Sequence, residues 1–177
     1  EETIYVTPSR LPAATLATVD TLVARAAAAI GLTEGPIHAE VRVDGEQCTL
    51  IEVAARTIGG LCARTLRFGA GIALEEVVLR HALGMDLSDL TRTTAASGVM
   101  MLPIPRAGTL RAVNARDRAL AVPGVVDVDI TIPLGAPVVP LPEGDRYLGF
   151  LFATGNSPAV VEASLRAGAD ALDIVIT

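Results

Sequence analysis

Two glutamates stand where a carboxylate is costly. Glu40 lies inside HAEVRVD (38–44) and Glu52 inside LIEVAA (50–55). In the first run His38, Glu40 and Arg42 alternate with Ala39, Val41 and Val43; in the second, Leu50, Glu52 and Ala54 alternate with Ile51, Val53 and Ala55. Alternation on both sides of Asp44-Gly45 predicts a β-hairpin over residues 36–55. Two carboxylates on one face of that hairpin would offer hard oxygen donors to a divalent cation such as Mg²⁺. Whether they share a face depends on the turn. A two-residue Asp44-Gly45 turn pairs Glu40 with Thr49 and sends Glu52 to the opposite face. A three-residue loop, Gly45-Glu46-Gln47, sets Glu40 directly against Glu52. Like charges set opposite each other are destabilising, so this second register needs a cation, a shared proton or a flanking arginine. Arg42 and Arg56 lie on the same parity, and a solvated cluster of ion pairs is the alternative to a metal site.

The remaining chemistry-bearing residues say less. His38 shares the face of the acids, where a strand histidine is more often packed or hydrogen-bonded than a base. His81 falls on an apolar stripe with Leu74, Val77 and Val78, which reads as packing. Cys48 and Cys62 make no disulfide framework, and a reduced, cytoplasmic setting is expected. Two histidines without a CxxC pair argue against structural zinc. Arg64, Arg67 and Arg80 read as solvated faces, and Arg106 and Arg146 as loop residues that could line a substrate cleft.

The elements that must position these groups follow from patterning. The chain has 177 residues, 51% of them hydrophobic and only 3% aromatic, so its core is built from Ala, Val, Leu and Ile. A formal charge of −6 without a basic run speaks against nucleic acid as a partner. No apolar stretch is long enough to span a membrane. All fourteen basic side chains are arginine. The chain opens at Glu1-Glu2 without Met, already close to a strand-like segment with Ile4 and Val6, which suggests a piece of something longer, the alternative being a start removed by processing. A helix is predicted from Pro12 to about Ile30 on the spacing of Leu16, Val19, Val23 and Ala26, ended by Gly31. RTIGGLCARTLRFGAG (56–71) reads as a glycine turn, a short helical stretch and a second break. A helix over 73–84 and a polar connector over 86–97 follow. Beyond that lie a strand (98–105), a short helix capped by Asn114, a strand (VVDVDITI), a Pro-rich link (133–145), a strand (147–155), a helix opened by Ser157-Pro158 and a final strand, LDIVIT. The order β-α-β-β-α-β is that of a ferredoxin-like unit. The expected class is α+β, with one domain over 1–94 and a smaller one over 95–177.

The segment GPIHAEVRVDGEQCTLIEVAARTIGG resembles the metal-binding end of the ATP-grasp ligases. Their pattern has an acid on one strand and, about a dozen residues on, a second acid in (I/L)-E-x-(N/A)-x-R. Glu40 matches the first acid, Glu52 the second and Arg56 the arginine. The resemblance implies ATP as cofactor and Mg²⁺ (or Mn²⁺) held by Glu40 and Glu52. It implies that Arg56 meets phosphate or the reacting carboxyl group. It also implies that Gly59 and Gly60 present amides to a tetrahedral intermediate. Where many of these enzymes have Asn two residues after the second acid, this chain has Ala54, a departure from two-metal coordination that points toward the L-amino-acid ligases. GVMMLPIPRAGTL, PGVVDVDITIPLGAPV and DRYLGFLFATGNSPAVVEASLRAGADAL resemble the small C-terminal domain of those ligases and of biotin-carboxylase-like proteins.

The resemblance thus implies the C-terminal part of an ATP-grasp fold, an antiparallel sheet with helices, followed by a small βαββαβ domain. The implied activity is that of a carboxylate–amine ligase working through an acyl phosphate. Family members supply nucleotide-binding lysines from an earlier subdomain, and this chain has none, so the missing N-terminal part of the same polypeptide is an expected partner and the fragment is expected to be inactive alone. The other expected partners are small carboxylate and amine substrates and, in the assembled enzyme, a second copy in a homodimer. Two alternatives stand beside this reading: a biotin-carboxylase-like enzyme using bicarbonate, and a non-catalytic α+β binding or oligomerisation module.

Overall fold

The computed structural model describes residues 3–177. Along the chain run β1 (Ile4–Thr7), α1 (Ala13–Ala29), β2 (His38–Asp44), β3 (Gln47–Ala54), a 3-10 turn (Cys62–Thr65), β4 (Arg67–Phe68), β5 (Ile72–Ala73) and α2 (Leu74–Ala82). Then come β6 (Ala96–Leu102), β7 (Gly108–Asn114), α3 (Arg116–Leu120), β8 (Val125–Ile130), β9 (Pro137–Val138), β10 (Gly149–Gly155), α4 (Pro158–Asp170) and β11 (Asp173–Ile176). Among the described residues no helix is long and apolar enough to cross a membrane.

Contacts divide the chain into two compact units, Arg10–Thr93 and the segment up to Ser9 together with Thr94–Thr177. In the first unit the predicted stripe of α1 is half-buried at Leu16, Val19, Val23 and Ala26, and the helix packs on β3. Its last turn closes as the sequence suggests: the Gly31 amide donates to the Ala28 carbonyl and the Leu32 amide to that of Ala27. Val41 and Val43 of β2 pair with Leu50 and Cys48 of β3.

The hairpin turn is neither of the two expected. Asp44 pairs with Gln47, leaving Gly45 and Glu46 as a two-residue turn, with Gly45 at φ +58. A turn of this length requires a positive φ at its first position, which glycine takes without steric cost.

The second unit contains the core. Leu110, Val128, Leu148, Leu151, Val161, Leu165 and Ile176 are almost wholly buried in one cluster. The expected order β-α-β-β-α-β is present as β6, α3, β8, β10, α4 and β11, but β7 and β9 are interposed and draw β11 into a second sheet. A four-stranded sheet runs β1-β6-β10-β8, antiparallel throughout, and a separate three-stranded sheet runs β11-β7-β9. The ferredoxin-like pairing forms for three of its four strands, β6-β10-β8, and fails only at the fourth. β11 joins β7, and the outer place beside β6 goes to β1, from the start of the chain.

The Pro-rich link contains β9, and Asn114 is not a helix cap. It ends β7 and donates from Nδ2 to Asp173 Oδ2 at 3.0 Å, while Ala115 opens α3 in the left-handed region. The α4 start does follow its sequence signal, with Ser157 accepting from the Val160 amide and Pro158 in the first position.

Candidate functional site

The register of the hairpin decides where the acids go. Val41 pairs with Leu50, yet Glu40 pairs with Glu52, so Ile51 is an extra residue in β3. A bulge of this kind places two residues against one on the facing strand and re-aims the side chains that follow. Along an unbulged strand from this turn Glu52 would fall on the face of Val53's partners; the inserted Ile51, itself exposed, returns it to the face of Glu40. Glu40 and Glu52 are thus direct cross-strand partners, as the three-residue loop would have made them, through a different device. Sequence reasoning missed the bulge, because nothing in the residue type of Ile51 announces it.

Each acid has a basic neighbour. His38 Nε2 lies 3.3 Å from Glu40 Oε1, two residues along the same strand face. Arg56 Nη2 lies 3.5 Å from Glu52 Oε1, and its Nη1 donates to the Thr57 carbonyl at 3.0 Å. Exposure rises across the group. His38 is 16% exposed, Glu40 34%, Glu52 49% and Arg56 56%. The Glu52–Arg56 pair is solvated and contributes at most about 1 kcal/mol to stability. It keeps the guanidinium at the edge of the acid pair rather than burying it. Arg42 lies on the same face, opposite Thr49, and is exposed. His38 stands opposite Ala54. His81 is half-buried on the α2 stripe with Leu74, Val77 and Val78, in keeping with packing.

Gly59 and Gly60 follow Arg56 in an exposed loop leading into the 3-10 turn. They differ. Gly60 has φ +60, a conformation that favours glycine. Gly59 has no such need, and a Cβ built on it would meet nothing within 4 Å.

Glu40 and Glu52 fit a cation that takes only part of its shell from protein. Among the described residues no cluster of three or more His, Cys, Asp or Glu side chains is arranged to hold a metal. Two opposed carboxylates are, however, the kind of donor set on which Mg²⁺ sits when waters and substrate phosphates complete its octahedron.

Comparisons with known proteins bear on the whole chain. Residues 1–65 match the family described as the ATP-grasp domain, and residues 100–177 the L-amino acid ligase C-terminal domain 2. The chain is similar to the crystal structure of an L-amino acid ligase from Bacillus licheniformis, with a TM-score of 0.83 and 28% identity over 100% of this chain and 44% of that one. It shares its fold, at 18% identity and a TM-score of 0.66, with the biotin carboxylase domain of the Hydrogenobacter thermophilus 2-oxoglutarate carboxylase, solved with MgADP, ADP and bicarbonate; the match covers 99% of this chain and 40% of that one. A curated relative, "Uncharacterized protein y4rH" of Sinorhizobium fredii, is 26% identical over 152 residues, 86% of this chain and 32% of the relative. The chain therefore spans less than half the length of these relatives. With an ATP-grasp match at one end, an L-amino acid ligase domain match at the other and the ligase structure matched throughout, the chain has the C-terminal part of the ATP-grasp fold followed by a domain similar to the C-terminal domain of L-amino acid ligases.

Proposed function

We propose that this chain carries the metal-binding end of an ATP-dependent carboxylate–amine ligase that works through an acyl phosphate. The observation that carries the reading is the pairing of Glu40 with Glu52 across the hairpin, produced by the bulge at Ile51. Such a pairing is destabilising without a positive charge between or beside the acids. The match of residues 100–177 to the ligase domain supports an amino acid as the carboxylate substrate and an amine as the nucleophile. The proposed division is 1–94 as the ATP-grasp part and 95–177 as the small domain, with the matches over residues 1–65 and 100–177 falling on either side of it.

A bound Mg²⁺ or Mn²⁺ would neutralise phosphate charge and template the transfer. Glu40 and Glu52 would hold it, each giving carboxylate oxygen. Arg56, exposed at the rim and loosely paired with Glu52, is placed to swing toward a phosphoryl oxygen or the substrate carboxylate, to which its fork is matched. Gly59 and Gly60, three and four residues after Arg56, would offer backbone N–H groups to a developing oxyanion. Phosphoryl transfer needs this positioning and charge neutralisation more than covalent help. The amine then displaces phosphate from the acyl carbon. The nucleotide-binding lysines would come from the N-terminal part of the same polypeptide, the enzyme would work in the cytoplasm, and the 177-residue chain alone would turn over no ATP.

The test uses the full-length protein with ATP and pairs of L-amino acids. ADP release is expected to require both amino acids, and hydroxylamine in place of the amine is expected to trap the activated carboxylate as a hydroxamate. Glu52→Gln should lower kcat/KM by more than about 100-fold, since several kcal/mol of charge stabilisation is removed. ADP release by Glu52→Gln at the normal rate would overturn the reading.

A further inference from the structure

We infer that His38 is a positioning residue that holds one oxygen of Glu40 and thereby aims the other at the cation. This rests on the proposed cation site and adds a role for a residue that the site reading leaves unused. Three observations carry it. His38 Nε2 is 3.3 Å from Glu40 Oε1, within reach of a hydrogen bond that an Nε2–H donates and the carboxylate accepts. The imidazole is the least exposed member of the group, at 16%, whereas the carboxylate it meets is 34% exposed. Its cross-strand partner is Ala54, whose methyl offers no polar atom, so the ring turns along its own strand to Glu40.

A carboxylate on a strand rotates about its terminal bond. Fixing one oxygen removes that freedom and leaves the second oxygen with its lone pairs directed away from the imidazole. Partners of this kind, one step removed from a metal, typically change its affinity about 10–100-fold. Glu52 receives a weaker restraint from Arg56, at 3.5 Å and 56% exposure. The two acids are therefore unequal: Glu40 is the oriented ligand, and Glu52 the adaptable one.

The experiment is a Mn²⁺ titration of the full-length protein, followed by the paramagnetic resonance signal of free Mn²⁺. His38→Leu keeps the bulk and removes the donor, and is expected to weaken Mn²⁺ binding about 10-fold or more. His38→Gln keeps an N–H donor within reach and should recover most of the loss, which a merely packing histidine would not predict. Glu40→Gln and Glu52→Gln serve as controls. If both controls bind Mn²⁺ normally, the cation site itself falls. If they lose it while His38→Leu does not, only the role of His38 falls. Nitrogen hyperfine coupling to Mn²⁺ from the imidazole would also overturn it, by making His38 a direct ligand. Should the Leu variant fail to fold, long-range ¹H–¹⁵N spectra of the unaltered protein decide: a neutral ring protonated on Nδ1 cannot donate to Glu40 and would end the proposal.

Discussion

Arg56 and the two glycines that follow it are adjacent in sequence but under different constraints. Gly60, at φ +60, is where an L side chain would strain the backbone. Gly60→Ala should cost about 1–2 kcal/mol in unfolding free energy, read from a denaturant midpoint. Gly59 has an ordinary φ and open space around its α-carbon, so Gly59→Ala should leave that midpoint within about 0.5 kcal/mol. A loss of ligase activity in Gly59→Ala with stability intact would place its amide at the reaction. Normal activity would leave Gly59 as loop punctuation. The cysteines separate in a similar way. Cys62 is buried, and desolvation pushes its thiol pKa up, while Cys48 is half-buried. Raised in the folded state, the Cys62 pKa makes the native protein hold its proton where the unfolded chain releases it. The unfolded chain then binds fewer protons, and stability falls as pH rises past the unfolded thiol value, near 8.5. Alkylation of native protein should mark Cys48 first. Equal labelling of both thiols would contradict the buried position of Cys62.

At the scale of elements, how much could be read in advance depended on how local each signal was. The hairpin, α1, α2 and α4 were legible because alternation, helical spacing and the Ser157-Pro158 cap are written within a few residues. The opposition of Glu40 and Glu52 was legible only as one of two registers, because the bulge at Ile51 is set by pairing rather than by residue type. β7 was hidden. Thr109 and Arg111 sit beside Leu110 and Ala112 in a weak alternation, between the turn signals of Pro103, Pro105 and Gly108 and the apparent cap at Asn114. Its partners, β9 and β11, are supplied from far along the chain. The junction of β7 and α3 carries its own prediction. Ala115 stands at φ 63 and ψ 27, a left-handed conformation that disfavours an alanine. Ala115→Gly should relieve more strain than it adds in chain entropy and raise the unfolding free energy by roughly 0.5–1 kcal/mol. A lower midpoint in urea would show that α3 does not start as described.

For the molecule as a whole, charge and apolar surface pull in opposite directions. In the Arg10–Thr93 unit, Ile30, Leu79, Leu83 and Met85 are exposed, Leu83 at 76%. Covering one such side chain against another surface is worth about 1.5–3 kcal/mol, and a few together are enough to drive weak association. The formal charge of −6 opposes this, since copies of the chain repel one another. Salt distinguishes the two. It screens the repulsion within about 10 Å at 0.1 M and leaves apolar attraction in place. The 177-residue chain, taken alone, should therefore self-associate more at high salt than at low salt, and Leu83→Glu should shift it back toward monomer. Sedimentation velocity over a range of concentrations reads both effects. A monomer independent of concentration and salt would mean that these side chains do not form an adhesive surface. Association that weakened with salt would mean that ion pairs, not apolar contacts, hold the copies together.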